Sequence, residues 1–147
     1  MEGLQVATTA TAVVARIEQS PEEHEQGIRR LRWSNAGHLP PVVLDVDGAV
    51  EVLRTRPDLL LGVEPHVPRT DHEVVLRRGA TVLLYTDGLV ERRDQVFDRG
   101  IEALGAELAT LHGKPVDEIA DQLLGRLLPE RAEDDVALIA VRLNLQD

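Results

Sequence analysis

Ala80-Thr81-Val82-Leu83-Leu84-Tyr85-Thr86-Asp87-Gly88-Leu89-Val90-Glu91 is an apolar run that ends on a carboxylate followed by glycine. The run has the length of a strand, and being apolar throughout it is expected to be covered on both faces. A second segment, Glu133-Asp134-Asp135-Val136-Ala137-Leu138-Ile139, reverses the order, with carboxylates first and the apolar run after them. One carboxylate thus sits where a buried strand ends and the other where a buried strand begins. Such ends can meet at one rim of a sheet, where paired carboxylates offer hard oxygen ligands to a divalent metal.

Working outward towards the N-terminus, Val6 to Ile17 is small or β-branched and favours an extended strand. Ser20 to Gly27 is polar and acidic, with Pro21 and Gly27 as breakers, and reads as a loop. Arg30 to Asn35 alternates, Leu31 and Trp33 on one side and Arg30, Arg32 and Ser34 on the other, which predicts a half-buried strand hairpin-paired with the first. Gly37-His38-Leu39-Pro40-Pro41 is a turn, after which Val42-Val43-Leu44 resumes as an extended segment. Asp47-Gly48 between apolar stretches signals a hairpin. Arg54 to Asp71, with Pro57, Pro65 and Pro68, is expected to be mostly irregular, and Val74-Val75-Leu76 is a further strand.

Beyond Glu91 the period changes. Ile101, Leu104, Leu108 and Leu111 recur at helical spacing, as do Val116, Ile119, Ala120, Leu123, Leu124, Leu127 and Leu128. Pro115 suits a first helical position and Pro129 a helix stop. A final buried strand is expected from Val136 to Leu143. The order, strands, two helices, one strand, predicts a single α+β domain over residues 1–147, with a helix pair on one face of a mainly antiparallel sheet.

Composition narrows the function classes. The 147 residues carry a formal charge of −10, so a nucleic acid or anionic membrane would be repelled on average. Arg29-Arg30-Leu31-Arg32 is the nearest approach to a basic patch, and its period of two places the arginines on the solvated side of a strand. One Phe, one Tyr and one Trp provide no stacking platform for single-stranded nucleic acid. With no cysteine there is neither disulfide nor thiolate metal site, which favours a cytosolic setting. No apolar run reaches the length of a membrane span, and the N-terminus lacks a signal-peptide pattern.

Each candidate site residue has a plain structural alternative. Asp87-Gly88 after a strand is most often only a turn; in the functional alternative Asp87 presents a metal ligand while Gly88 lets the backbone fold sharply beside it. Asp134-Asp135 before a strand is commonly solvated. Yet two adjacent carboxylates tied to the edge of the core repel each other unless a cation or proton compensates. Asn35-Ala36-Gly37-His38 reads as a polar strand end with a glycine turn, and a lone histidine is more often structural than a ligand. His24, His66, His72 and His112 are scattered without paired spacing, which gives no support to zinc. A Gly-x-Ser-x-Gly elbow and a P-loop are both missing from the sequence.

Trp33-Ser34-Asn35-Ala36-Gly37-His38-Leu39-Pro40-Pro41, Leu61-Gly62-Val63, Leu83 to Glu91, and Asp134-Asp135-Val136-Ala137-Leu138 occur in that order. Together they resemble the C-terminal part of the SpoIIE-type branch of the bacterial metal-dependent (PPM, type 2C-like) serine/threonine protein phosphatases, over about Val6 to Leu143. The resemblance implies a sandwich of two antiparallel sheets flanked by helix pairs. It also implies two Mn or Mg ions that activate a water for attack on phosphoserine or phosphothreonine, so that no protein nucleophile is needed. By the same resemblance Asp87 and Asp134 match two metal-binding aspartates, with Gly88, Asp135, Asn35 and His38 in supporting positions. The implied substrate is a phosphorylated regulatory protein such as an anti-sigma-factor antagonist.

The sequence departs from the family in one respect. Members carry an earlier Asp-x-x-Gly-His-Gly-like element whose aspartate bridges the two metals, and this chain begins after that point. The expectation is therefore an under-liganded centre, weak metal binding and little turnover by the chain alone. An alternative is a catalytically dead, phosphatase-derived interaction module. A missing layer would also leave the inner face of a sheet exposed, which predicts a homodimer through that face.

Overall fold

The computed structural model describes residues 8–92, 96–128 and 134–144. Among the described residues seven strands form two antiparallel sheets. The first contains β1 (Ala12–Glu18), β2 (Ile28–Ala36) and β5 (His72–Arg77) in the order β1-β2-β5. The second contains β3 (Val42–Leu44), β4 (Val50–Val52), β6 (Thr81–Tyr85) and β7 (Leu138–Arg142) in the order β4-β3-β6-β7. Two long helices, α2 (Phe97–Thr110) and α3 (Val116–Leu127), pack on the second sheet, and a short helix, α1 (Pro21–Gln26), joins β1 to β2.

The alternation of side chains along a strand sorts the core into two layers. Val42, Leu44, Leu83 and Tyr85 point towards the helices and meet Ile101, Leu104, Leu108, Leu111, Ile119 and Leu123. Val43 and Val82 point the other way and meet Leu31, Trp33 and Leu76 of the first sheet. The inner strand β6 is apolar from Val82 to Leu84 because it lies between a helix layer and a second sheet. Among the described residues no helix is long and apolar enough to cross a membrane.

Several expectations need correction or limits. Ser20 to Gly27 is a capped helix and its flanks, not a loop. The Ser20 hydroxyl accepts from the Glu23 N–H at 3.2 Å, the Ser20 N–H donates to Glu23 Oε2 at 2.8 Å, and Gly27 ends the helix at φ 69°. Pro21 and Gly27 are not breakers here: with the Ser20–Glu23 capping box they form an N-terminal proline and a left-handed glycine cap. Arg29 is buried, on the same face as Leu31, with Nη2 donating to the Asn144 carbonyl at 2.6 Å; only Arg30 and Arg32 lie on the solvated side.

β7 is an edge strand rather than a buried one. Leu138 and Ala140 pack on the helix side, but Ile139 and Val141 are 57% and 40% exposed on the side that faces the other sheet. The inner face expected to be bare is in fact largely covered, because the two sheets pack on each other. What stays open is a strip along the free edges of β1 and β7, marked by Ile17, Ile139 and Val141. The start of the first predicted strand at Val6, the stop at Pro129 and Glu133 lie outside the described residues. The Asp47-Gly48 hairpin connects β3 to β4 as expected.

A candidate functional site at the end of the β6–β7 pair

In the antiparallel register Tyr85 faces Leu138, so the end of β6 and the approach to β7 share one rim of the sheet. Beyond that rim the two acidic segments are locked together through Thr86. Its N–H donates to the Ala137 carbonyl at 3.0 Å, its hydroxyl donates to the Asp135 carbonyl at 3.2 Å, and the same hydroxyl accepts from the Ala137 N–H at 2.9 Å. Gly88 completes the contact. A Cβ at Gly88 would lie 2.7 Å from the Asp135 carbonyl oxygen and 3.0 Å from Val136 Cγ2, so only glycine allows the approach without a shift.

Asp87 opens a single 3₁₀ turn, Asp87–Leu89. Its carbonyl accepts from the Val90 and Glu91 N–H groups at 2.9 and 2.7 Å, and its Oδ1 accepts from the Gly88 N–H at 3.0 Å. Leu89 and Val90 plug the turn into the helix-side core, which leaves the Asp87 carboxylate exposed. Asp134 is also exposed, and its Oδ1 accepts from the Asp135 N–H at 2.8 Å. In each aspartate one oxygen is held by backbone, and the other carboxylate oxygen has no hydrogen-bond donor among the described residues.

His38 buttresses this rim from the first sheet. The carbonyl of Tyr85 can only accept, so the contact of 3.0 Å makes Nε2 the protonated nitrogen. In the neutral ring Nδ1 then accepts from the Thr11 hydroxyl at 3.3 Å. Asn35 fixes the turn that carries His38, accepting from the His38 N–H at 2.7 Å and donating to the His38 carbonyl at 2.8 Å. With both ring nitrogens engaged, His38 positions the Tyr85–Asp87 backbone, and Asn35 positions His38. The Tyr85 hydroxyl, on the opposite side, is buried without a hydrogen-bond partner among the described residues. Burial pushes its pKa well up, and the nearby charge of Arg54 opposes that rise.

The site residues anticipated from sequence therefore assemble in one region: Asp87 and Gly88 against Asp134 and Asp135, with His38 beside them and Asn35 behind His38. A cleft of about 430 Å³ opens there, lined by His38, Thr86 and Asp87 and also by Thr11, Arg54 and Asp98. The last three are not among the residues that sequence reasoning singles out. Arg54 Nη1 donates to Asp98 Oδ1 at 2.8 Å, a contact between residues far apart in sequence that no local pattern announces.

The donor set is right in kind for Mg or Mn, exposed carboxylate oxygens. It is short in number: among the described residues no three acidic or histidine side chains cluster closely enough to hold a metal ion.

A family model described as stage II sporulation protein E (SpoIIE) matches residues 1–144. Among solved structures, the phosphatase domain of the cell fate determinant SpoIIE from Bacillus subtilis superposes with a TM-score of 0.71 at 16% identity, over 94% of this chain and 58% of that one. The RsbU and RsbW domains of a Mycobacterium tuberculosis protein give 0.70 at 25% identity, over 78% and 33%. The serine/threonine phosphatase PstP/Ppp of Mycobacterium tuberculosis gives 0.60 at 22% identity, over 95% and 61%. The chain thus spans from a third to about three-fifths of these solved chains. Its two antiparallel sheets with helices on one side have the fold of the phosphatase domains over the part that is covered.

Proposed function

The chain belongs to the stage II sporulation protein E (SpoIIE) family, and from that membership we propose that it forms part of a metal-dependent phosphatase centre that hydrolyses phosphoserine or phosphothreonine in a regulatory protein. One observation carries this reading: Thr86-Asp87-Gly88 is pinned against Asp134-Asp135-Val136 by the Thr86 hydroxyl and by the close approach at Gly88. Two carboxylates from distant segments are thereby held at one rim, each with an oxygen that has no donor among the described residues.

In this reading Asp87 and Asp134 contribute ligands to two Mn or Mg ions. Such ions, when bound, activate water and neutralise charge on the phosphoryl group. The protein's own part is positional. His38 holds the Tyr85 carbonyl, Asn35 holds His38, and Thr86 and Asp135 fix the spacing of the two acidic turns. With fewer than three clustered ligands among the described residues, the chain alone binds metal weakly and turns over little.

The match to a protein that carries RsbU and RsbW domains supports a regulatory partner, such as a phosphorylated anti-sigma-factor antagonist, as substrate. A cytoplasmic setting goes with such a partner and with the absence of cysteine. The open strip at Ile17, Ile139 and Val141 supports self-association of the chain along its free β1 and β7 edges.

The test is Mn-dependent hydrolysis of a small phosphoryl ester and of a phosphoserine peptide. We expect little turnover by the 147-residue chain. Where the gene encodes an Asp-x-x-Gly-His-Gly element ahead of residue 1, the longer protein should turn over robustly and lose activity on Asp87→Asn. Robust turnover by the short chain, lost on Asp87→Asn, contradicts the incomplete centre. The short ligand set also favours a second reading, a catalytically dead interaction module. It predicts no hydrolysis by the longer protein either.

A further inference from the structure

Arg54 is the only Lys or Arg side chain among the described residues that line the cleft beside Asp87. Its place is built by the backbone. Leu53 is buried and its N–H donates to the Pro41 carbonyl at 2.9 Å, while the Arg54 N–H donates to the Val52 carbonyl at 2.8 Å. The guanidinium is therefore presented from the end of β4, next to the turn that carries His38, and not from a loose loop. Its charge is felt at Tyr85, the last residue of β6.

The guanidinium makes a single protein contact among the described residues, from Nη1 to Asp98 Oδ1 at 2.8 Å. The two side chains are 51% and 66% exposed, so the pair is solvent-screened and exchangeable. The other guanidinium N–H groups have no protein acceptor among the described residues. A planar fork with spare donors, opening on a cleft that also holds the Asp87 carboxylate, matches the geometry of a phosphoryl group. In a chain of net charge −10, such a cation is what makes the cleft hospitable to a dianion.

We propose that Arg54 is the residue that recognises the substrate phosphoryl group, and that Asp98 is its resting partner, displaced when the phosphate enters. The proposal rests on the phosphatase reading and adds a specificity residue to it. Phosphate and the Asp98 carboxylate compete for one guanidinium, so Asp98 sets how strongly Arg54 grips the substrate.

Competition makes the two partners respond in opposite directions, which a merely structural bridge does not. The experiment titrates inorganic phosphate into the 147-residue chain in Mg-containing buffer and follows the Arg54 side-chain N–H and nearby amide signals by NMR. Arg54→Gln should weaken phosphate binding by about tenfold or more, the loss of a charge-assisted bidentate contact. Arg54→Lys should fall between the two, since the charge is kept and the fork is lost.

Asp98→Asn should tighten binding several-fold, and that gain should vanish when Arg54→Gln is also present. If Asp98→Asn and Arg54→Gln weaken binding alike, the bridge is a tether and the proposal is overturned. A gain from Asp98→Asn that persists alongside Arg54→Gln reflects general charge relief and overturns it as well, as does a wild-type chain that does not bind phosphate. The measurement needs no turnover. Absence of hydrolysis by the longer protein would defeat the phosphatase reading while leaving this result to stand or fall by itself.

Discussion

Gly88 lies directly beneath the Asp135 carbonyl, where a Cβ would come within 2.7 Å of the oxygen. This contact joins the Asp87 turn to the Asp134 turn, and nothing larger than glycine fits it. Backbone is the obstacle, so relief requires the two acidic segments to move apart. Gly88→Ala should therefore destabilise the chain by about 1–3 kcal/mol, as overpacking does. Urea denaturation measures the loss, and shifts of the Asp134 and Asp135 amide signals should accompany it.

Asn35 is buried and both ends of its amide are used by one residue, the backbone of His38. Asn35→Ala removes both bonds and leaves a half-buried turn short of partners, which should cost about 1–3 kcal/mol. Because the His38 ring holds the Tyr85 carbonyl, the amide signals of Thr86 and Asp87 should shift in the same variant. Unchanged Thr86 and Asp87 signals would separate Asn35 from the site.

The parts of the fold with a strong local signal are legible in the sequence. β6 announces itself by an apolar run ending in Asp87-Gly88, and α2 and α3 by the spacing of Leu104, Leu108 and Leu111 and of Ile119 and Leu123. The short helix α1 is harder to see, because Pro21–Gln26 buries no residue and has no apolar period; its caps at Ser20, Glu23 and Gly27 are the signal it carries. Arg29 is deceptive because its neighbours Arg30 and Arg32 suggest a uniformly wet face, whereas strand alternation puts it beside Leu31. In the site, the carboxylates are legible because each abuts an apolar run. Arg54 and Asp98 are not, since their meeting depends on how the end of β4 packs near the start of α2.

Ser20 caps α1 far from the acidic rim. Ser20→Ala should lower stability by about 1 kcal/mol, the usual loss at an N-cap, and leave the amide signals of Asp87 and Asp134 in place. The Glu23 carboxyl has its pKa held low, first by the Ser20 N–H and then by Arg30. A depressed carboxyl stabilises above its unfolded pKa, so this contribution is present at neutral pH and fades as pH falls through the acidic range. Thermal melts of wild type and Glu23→Gln should converge as the pH is lowered.

Ile139 and Val141 stand exposed beside the free edge of β7. Self-association along that edge should make the sedimentation-derived mass rise with protein concentration, and Ile139→Lys should return it to the monomer value. A wild-type mass that does not change with concentration would count against the edge as an interface.

The proposed function requires that Asp87 and Asp134 form one site for a divalent cation. Mn is paramagnetic, so it broadens the amide signals nearest to it even when binding is weak. Added in small amounts to the 147-residue chain, it should broaden Asp87, Gly88, Asp134 and Asp135 first, and either Asp87→Asn or Asp134→Asn should abolish that preference. Broadening spread evenly over other acidic groups, such as Asp45 and Asp47 or Asp117 and Asp121, and unchanged by either substitution, would contradict the account.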